Sequence, residues 1–421
     1  MKTYLVGGAV RDQLLNRPCK DQDWVVVGTT AQNMLDLGYK QVGADFPVFL
    51  HPKTQEEHAL ARTERKTGHG YQGFEVHFDE HVTLEDDLIR RDLTINAMAK
   101  DENGHIIDPH NGQADLQNKI LRHVSEAFSE DPLRVLRVAR FAARFAHLGF
   151  TIAPETLQLM RSISESGELE HLTAERVWVE TERALGEKSP WVYFEVLKSC
   201  QGLKVCFKEL DALFGVPQPP KHHPEIDTGI HSLMVLKQAS LLSDQAHVRF
   251  AALMHDLGKA LTPKENWPRH IKHEILGLKP IKEMGERLRI PNRFVELTLK
   301  VCEFHTLVHG ALTLKASTVY KLFKKTDALR KPQRFDEILL ACMADSRGRT
   351  GFENIDYPQA EYLKNLLLYV TEINIQDLIK QGFQGAALGQ AIDETRLNLL
   401  KNSIKTIRTD AKEDIQEEDH E

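Results

Sequence analysis

Hydrophobic and polar positions change their spacing along the chain. Up to about residue 110, short apolar runs rich in β-branched and aromatic residues alternate with turns, as in DWVVVG, FPVFLH, EEHALAR and FEVHF. From about Ser129 the apolar spacing becomes helical, beginning with EDPLRVLRVARFAARFAHLGF, and it stays helical. Short alternating runs predict strands, whereas the longer period predicts amphipathic helices. The pattern therefore predicts an α+β protein, with a small mixed sheet followed by mostly helical domains.

Length and local composition divide the chain further. A chain of 421 residues is longer than one hydrophobic core usually supports. The stretch FGVPQPPKHHPEID, residues 214–227, is rich in proline and polar residues and is the best linker candidate. We predict domains that cover residues 1–125, 126–222, 223–350 and 351–409, followed by an acidic, disordered segment at 410–421.

Net charge does not by itself decide the partner. The formal charge is −7, and residues 410–421 alone hold seven acidic residues and one lysine. The rest of the chain therefore carries about −1, so local clusters of arginine and lysine must show whether nucleic acid binds.

Cysteine usage and hydropathy bear on the compartment. The five cysteines form no CxxC pair, which argues against a disulfide framework or a zinc knuckle. No apolar run approaches the ~18 residues of a membrane span, and TYLVGG begins a strand without a signal-peptide pattern. We expect a cytoplasmic protein that does not contact a membrane.

The stretch LVGGAVRDQLLNRPCKDQDWVVVG contains the first candidate chemistry. Its Gly-Gly turn, which ends at Gly8, lies between a predicted strand and a predicted helix, where exposed N–H groups bind anions. Arg11 on that helix can reach a phosphate. Asp21 and Asp23 are two residues apart at the start of a strand, so their side chains share one face and suit Mg²⁺. The alternatives are a purely structural turn and a solvated surface pair of carboxylates.

Four motifs, in order, resemble the polymerase-β-type nucleotidyltransferases, in the form found in class II tRNA nucleotidyltransferases and bacterial poly(A) polymerases. GGAVRD with DQDWVVVG is followed by RRDLTINAMA, DPHNGQADL and EDPLRVLRVARFAARF. The resemblance implies a polymerase-β-like head with a helical neck. It also implies that Arg91 contacts the triphosphate and that Asp92 accepts a hydrogen bond from the ribose 2′-hydroxyl. A surface cluster of ion pairs is the alternative for these residues.

The last of these motifs has a regular spacing. Asp131, Arg134, Arg137 and Arg140 recur every three residues on a predicted helix, whose start is marked by Glu130, Asp131 and Pro132, and they form one ridge. A carboxylate and guanidinium groups offer an acceptor and fixed donors to a base edge. In the family, this Asp and Arg pair with the incoming base. The alternative is an exposed, salt-bridged helix face.

The histidines after the proline-rich stretch indicate a second site. ALMHDLGK contains His255 and Asp256 and resembles the signature of HD phosphohydrolases, and His231 in TGIHSLMVL matches the first histidine of that pattern. Asp345 is a plausible final ligand. Imidazole and carboxylate together favour a transition metal of the Ni, Mn or Co type over Mg²⁺. The alternative is that these histidines are structural. Three further histidines are candidates for a second metal site, namely His270, His273 and His305.

Together, the resemblances imply a CCA-adding tRNA nucleotidyltransferase that uses CTP, ATP and Mg²⁺. The HD domain implies added phosphatase, 2′-nucleotidase and 2′,3′-cyclic phosphodiesterase activity. We expect a monomer or homodimer. The alternatives are a bacterial poly(A) polymerase-like enzyme and a non-catalytic RNA-binding protein. The guanosine tetraphosphate synthetase/hydrolase family is disfavoured because it places the HD domain first.

Overall fold

The computed structural model describes residues 1–19, 22–42, 48–66, 74–221 and 223–418. The chain forms two compact units, Met1–Asp211 and Ala212–Glu421. Within the described ranges, no helix combines the length and apolar character that a membrane span requires.

The first unit contains a mixed seven-stranded sheet with strand order β3-β4-β5-β2-β1-β8-β9. The first two strands are antiparallel, whereas β2 and β5 are parallel. The predicted strands DWVVVG, FPVFLH, EEHALAR and FEVHF correspond to β2, β4, β5 and β7. The strands are β1 (Lys2–Val6), β2 (Asp23–Val27), β3 (Lys40–Val42), β4 (Val48–Leu50), β5 (Glu57–Leu60), β6 (Thr63–Lys66), β7 (Phe74–His77), β8 (Ala99–Lys100), β9 (Ile106–Ile107), β10 (Ile120–Leu121) and β11 (Thr151–Ile152).

Helices of the first unit pack beside this sheet and continue beyond it. The longest, α5, packs against α7 and α8, and its Val135, Leu136, Val138 and Ala139 are fully buried. The helices are α1 (Gly8–Leu14), α2 (Ala31–Asp36), α3 (Leu84–Ile89), α4 (Gly112–Asn118), α5 (Leu133–Phe145), α6 (Pro154–Glu165), α7 (Ala174–Leu185), α8 (Pro190–Ser199), α9 (Leu203–Cys206) and α10 (Lys208–Asp211).

The helix α5 starts where Glu130, Asp131 and Pro132 predict it, but Asp131 precedes the helix. The helix begins at Leu133, and Pro132 is its N-cap residue. Asp131 has an extended backbone with φ −111° and ψ 103°, because a residue before proline is sterically kept out of the helical region. Asp131 therefore lies outside the helix and does not belong to one helical ridge with Arg134, Arg137 and Arg140.

The second unit is helical around a core in which α11, α12, α15 and α17 pack against one another. Residues of α16, α18 and α20 extend the same apolar cluster. The helices are α11 (Thr228–Leu242), α12 (Ala246–Met254), α13 (His273–Leu276), α14 (Leu278–Arg287), α15 (Asn292–His309), α16 (Ala316–Lys325), α17 (Pro332–Arg347), α18 (Pro358–Thr371), α19 (Ile375–Lys380) and α20 (Gly385–Glu418).

Two expectations about chain organisation need correction. The proline-rich stretch 214–227 belongs to the second unit rather than linking two domains, and Pro217 pairs with Asp227 in an antiparallel bridge. At the other end, α20 continues to Glu418, past the predicted boundary at residue 409. The sequence after Gly389 contains no glycine or proline, so nothing interrupts that helix. The boundaries near residues 125 and 350 remain predictions.

Candidate active sites

The turn between β1 and α1 requires glycine. Gly7 has φ +67° and ψ −128°, a region that residues with a Cβ rarely adopt. A Cβ at this position would also lie 2.8 Å from Nη1 of Arg91. The Gly7 amide donates a hydrogen bond to the Met98 carbonyl oxygen at 3.1 Å. The turn therefore holds the start of α1 against the segment that carries Arg91 and Asp92.

This turn opens onto a cavity of about 1130 Å³ in the first unit. Asp23 lines the cavity, whereas Asp21 lies outside the described residues. Every nucleotide-binding residue predicted from the sequence also lines it, namely Gly8, Arg11, Arg91, Asp92, Asp131, Arg134, Arg137 and Arg140.

The cavity is positively charged. Its described lining contains nine arginines and five carboxylates, an excess of positive charge that suits a polyanion such as a nucleoside triphosphate. The arginines beyond those predicted are Arg62, Arg90, Arg144 and Arg176.

A further carboxylate, on the strand next to that of Asp23, also lines the cavity. Asp23 is the first residue of β2 and pairs in parallel register with Glu57, the first residue of β5. Both are exposed, and both line the cavity. Carboxylate oxygens are the ligands that Mg²⁺ prefers, so this edge of the sheet fits that ion. The sequence analysis missed Glu57 because the pairing of β2 with β5 is not local.

Asp92 is buried and tightly held. Its Oδ2 accepts hydrogen bonds from Arg137 Nε at 2.9 Å and Nη2 at 2.7 Å. Its Oδ1 accepts from the Leu93 amide at 2.8 Å and from Asn96 Nδ2 at 2.9 Å. Burial raises the pKa of Asp92, but the charge of Arg137 and these hydrogen bonds outweigh burial and hold the pKa far below its usual range. Asp92 is therefore ionised and fixed in orientation.

Asp131 and Arg134 are also fixed by protein contacts. Arg134 donates to the carbonyl oxygens of Ala127 at 2.7 Å and Arg90 at 2.5 Å. Asp131 accepts from the Leu133 amide at 3.1 Å and from Arg176 Nη2 at 3.0 Å. Arg134 is only 7% exposed, which contradicts an exposed, salt-bridged helix face. Both residues line the cavity, and these contacts define the positions of their side chains.

The remaining predicted arginines have buried partners as well. Arg140 Nε donates to Glu180 Oε2 at 2.6 Å. Arg11 donates to Asp12 Oδ1 at 2.9 Å and to Asn96 Oδ1 at 2.5 Å, and its guanidinium lies 5.0 Å from the centre of the Phe145 ring. The guanidinium groups are therefore placed before any ligand binds.

In the second unit, the four predicted ligands lie together. His231 is on α11, His255 and Asp256 follow α12 directly, and Asp345 is on α17. His231 Nε2 is 3.1 Å from Asp345 Oδ1. His255 Nε2 is 3.1 Å from Asp256 Oδ2 and 3.4 Å from Asp345 Oδ2. All four residues are buried.

The carboxylate of Asp256 also faces the ring nitrogens of two further histidines. Asp256 Oδ1 lies 3.3 Å from His273 Nε2 and 3.6 Å from His305 Nε2, and the two histidine nitrogens are 3.1 Å apart. His270 is not part of this group, because its ring contacts Thr262 Oγ1 and the Pro217 carbonyl oxygen, each at 2.8 Å.

The polar atoms at this centre fit a metal ion. Nε2 of His255 and both carboxylate oxygens of Asp256 are buried without hydrogen-bond geometry to any partner, although ionic contacts surround them, including Lys259 Nζ at 2.6 Å from Asp256. Burial lowers the pKa of His255, but the charges of Asp256 and Asp345 outweigh burial and raise it to about 10. A cation bound to these atoms would take the place of that proton.

The proline-rich stretch contributes to this centre. Gln218 Oε1 accepts from Lys259 Nζ at 2.5 Å, and Glu225 Oε1 lies 3.0 Å from His231 Nδ1. A carboxylate on the far nitrogen orients a metal-binding histidine. The sequence analysis missed these two residues because it interpreted 214–227 as a linker. It also missed His309, whose Nε2 is 2.7 Å from Asp345 Oδ2.

A multifunctional CCA protein from Hahella chejuensis (strain KCTC 2396) is 61% identical to this chain over 401 residues, which cover 95% of each protein. The chain belongs to the multifunctional CCA protein family. Family models match the poly A polymerase head domain at residues 3–122, the probable RNA and SrmB-binding site of polymerase A at 149–214, and the HD domain at 228–347.

Solved structures agree with this family assignment at the level of the fold. A Thermotoga maritima CCA-adding enzyme complexed with tRNA matches with a TM-score of 0.63 and 23% identity, covering 95% of this chain and 87% of that one. A Bacillus stearothermophilus CCA-adding enzyme in complex with CTP matches with a TM-score of 0.62 and 22% identity, covering 98% and 94%. The α+β fold predicted from the motifs, with its polymerase-β-like head and HD domain, is confirmed.

Proposed function

We propose that this protein adds and repairs the 3′-terminal CCA of tRNA, without a nucleic-acid template, from CTP and ATP. The observation that carries the proposal is the arginine-lined cavity, which gathers Asp23 with all eight predicted nucleotide-binding residues. The family relationship supports the same activity. We propose that the enzyme works in the cytoplasm as a monomer or homodimer.

In the proposed reaction, the tRNA 3′-oxygen bonds to the α-phosphorus of CTP or ATP. The bond from that phosphorus to pyrophosphate breaks, and the hydroxyl proton passes to solvent. Asp21, Asp23 and Glu57 would hold Mg²⁺, which when bound favours ionisation of the attacking hydroxyl and neutralises charge on pyrophosphate. The cavity arginines bind the triphosphate, and Asp131 with Arg134 presents an acceptor and donors to the base edge.

The direct test supplies the protein with CTP, ATP, Mg²⁺ and tRNA that lacks its CCA end, and sequences the product. Addition of CCA, followed by termination, supports the proposal. A long adenosine tract would favour the poly(A) polymerase-like alternative. Binding of tRNA without extension would favour the non-catalytic RNA-binding protein.

We further propose that the second unit is a transition-metal phosphohydrolase with phosphatase, 2′-nucleotidase and 2′,3′-cyclic phosphodiesterase activity. His231, His255, Asp256 and Asp345 would hold an ion of the Ni, Mn or Co type, which would supply a Lewis acid and an activated water. The support is their buried cluster, in which His255 Nε2 and both carboxylate oxygens of Asp256 have no hydrogen-bond partner. Because Asp256 also faces His273 and His305, we propose a second ion there that shares Asp256.

Sugar selection provides a prediction for Asp92. We expect Asp92→Ala to lower the preference for CTP over dCTP by about 10- to 100-fold, because a hydrogen bond to a charged group contributes about 1.5–3 kcal/mol. The measurement is the ratio of kcat/KM for the two nucleotides. Asp92→Asn keeps one oxygen acceptor, so its preference for CTP over dCTP should fall less than that of Asp92→Ala. Equal discrimination by Asp92→Ala and the parent protein would contradict the assignment.

Base selection provides a prediction for Arg134. Arg134→Ala should weaken the selection of C and A over U and G by about 1–3 kcal/mol, the amount carried by a bidentate base contact. This base selection is measured by competition between the four nucleoside triphosphates for addition to one tRNA. The control is Arg161→Ala, an arginine on α6 whose side chain is 55% exposed. A uniform loss for all four nucleotides would instead indicate a phosphate-binding or structural role.

A further inference from the structure

Asn96 makes three contacts with predicted nucleotide-binding residues. It ends a short 3₁₀ turn, Thr94–Asn96, lines the cavity and is 6% exposed. Its Oδ1 accepts from Arg11 Nη1 at 2.5 Å, and its Nδ2 donates to Asp92 Oδ1 at 2.9 Å. Its backbone carbonyl oxygen accepts from Arg91 Nη1 at 3.4 Å.

The chemistry of its partners requires a side chain that both donates and accepts hydrogen bonds. A guanidinium can only donate hydrogen bonds, and an ionised carboxylate can only accept them. One side chain that satisfies both must carry an acceptor and a donor together, as asparagine does. A carboxylate would repel Asp92, and alanine would leave buried polar groups of Arg11 and Asp92 without this partner.

The hydrogen bonds of the Asn96 side chain hold Arg11 and Asp92 in position together with their other contacts. Arg11 also bonds Asp12 through Nε and lies against Phe145, so Asn96 fixes the opposite end of the guanidinium. Asp92 has Oδ2 on Arg137, so Asn96 and the Leu93 amide fix the plane of the carboxylate through Oδ1. A shift of Asn96 therefore changes the position of both groups at once.

We propose that Asn96 is the positioning residue that couples the phosphate-binding and ribose-binding halves of the nucleotide site. This inference rests on the proposed nucleotidyltransferase function, in which Arg11 contacts the triphosphate and Asp92 contacts the ribose. In this proposal, Asn96 acts on the nucleotide through Arg11 and Asp92. Its effect passes through a buried network in which each member orients the next.

Two substitutions of Asn96 test its effects on the ribose-binding and the phosphate-binding halves of the nucleotide site separately. Asn96→Asp keeps an oxygen acceptor for Arg11 but loses the donor to Asp92 and places a second carboxylate beside it. We expect the CTP-over-dCTP ratio of kcat/KM to fall by about tenfold, the size of one hydrogen bond to a charged group, while inhibition by pyrophosphate stays within about twofold of the parent. Asn96→Ala removes the side-chain contacts with Arg11 and with Asp92. We expect the CTP-over-dCTP ratio of kcat/KM to fall and pyrophosphate to inhibit less strongly.

Controls make the outcome decisive. Asn118→Ala, at an exposed position of α4, should match the parent in both measurements. Thermal melting checks the fold of each variant, and nearly isosteric Asn96→Asp keeps the test available if Asn96→Ala does not fold. In the double variant of Asn96→Ala with Asp92→Ala, the losses in sugar discrimination should be far from additive, because both act through one carboxylate.

The inference is overturned if folded Asn96 variants keep the parental nucleotide ratio, or if the double variant shows additive losses. Either result leaves the proposed function untouched. Failure of the parent protein to extend tRNA would instead overturn the proposed function.

Discussion

Asp23→Ala is expected to reduce CCA addition by about a thousandfold or more. Metal-ion catalysis contributes several kcal/mol of transition-state stabilisation, and each 1.4 kcal/mol changes the rate tenfold. Asp23 is the described member of the predicted carboxylate pair and lies at the cavity edge of β2, paired with Glu57. Removing its carboxylate takes away an oxygen ligand for Mg²⁺ and leaves the arginine-lined binding surface in place.

The measurement is single-turnover extension of tRNA that lacks its CCA end, over a range of Mg²⁺ concentrations. The loss should appear in the rate of extension rather than in the affinity for CTP, which the arginines support. Asp36→Ala is the matched control, since Asp36 is an exposed carboxylate on α2 outside the cavity. Hydrolysis of a 2′,3′-cyclic nucleotide should be unchanged. Near-parental extension by folded Asp23→Ala would remove this carboxylate from the catalytic site.

The fold of the head could be predicted because its signals are local. The strands DWVVVG and EEHALAR were readable from their alternation and turns, and the order of the motifs indicated the family. Which strand lies beside which was not readable, so Glu57 was missed. Residues 130–132 indicated where α5 begins, but Asp131 is not on the helical ridge, because the residue before Pro132 is kept out of the helical region.

The second unit shows the same limit in a different form. Adjacent His255 and Asp256 form a local signature, and the structure places His231 and Asp345 beside them. The composition of residues 214–227 favoured a linker, yet Gln218 and Glu225 contact Lys259 and His231. A composition rich in proline and polar residues predicts backbone conformation and exposure to solvent, but it does not predict which buried groups these residues contact. Such contacts depend on tertiary packing that no sequence window contains.

Asp256→Ala should abolish the hydrolysis of a 2′,3′-cyclic nucleotide and also remove bound transition metal. Asp256 has Oδ2 toward His255 and Oδ1 toward His273 and His305, so it would be a ligand shared by both proposed ions. The cluster without this carboxylate holds histidines next to one another with less compensating charge, which disfavours a cation. CCA addition with Mg²⁺ should remain near the parental rate.

Metal stoichiometry provides a readout that is independent of activity. Elemental analysis of protein dialysed against Ni²⁺, Mn²⁺ or Co²⁺ should find two ions per chain in the parent, one in His273→Ala and none in Asp256→Ala. Asp377→Ala on α19, an exposed carboxylate, is the control and should bind as the parent does. If Asp256→Ala does not fold, Asp256→Asn retains the side-chain volume and allows the same comparison.

The outcomes distinguish the proposals because each variant changes a different number of ligands. One ion in the parent and also in His273→Ala would contradict the second ion while leaving the HD centre intact. Loss of both CCA addition and hydrolysis in a well-folded Asp256→Ala or Asp23→Ala variant would mean that the two sites depend on each other. Loss of hydrolysis and metal alone in Asp256→Ala, with loss of CCA addition alone in Asp23→Ala, would establish two separate metal sites. Hard oxygen ligands then serve nucleotide addition, and mixed nitrogen and oxygen ligands serve phosphate release.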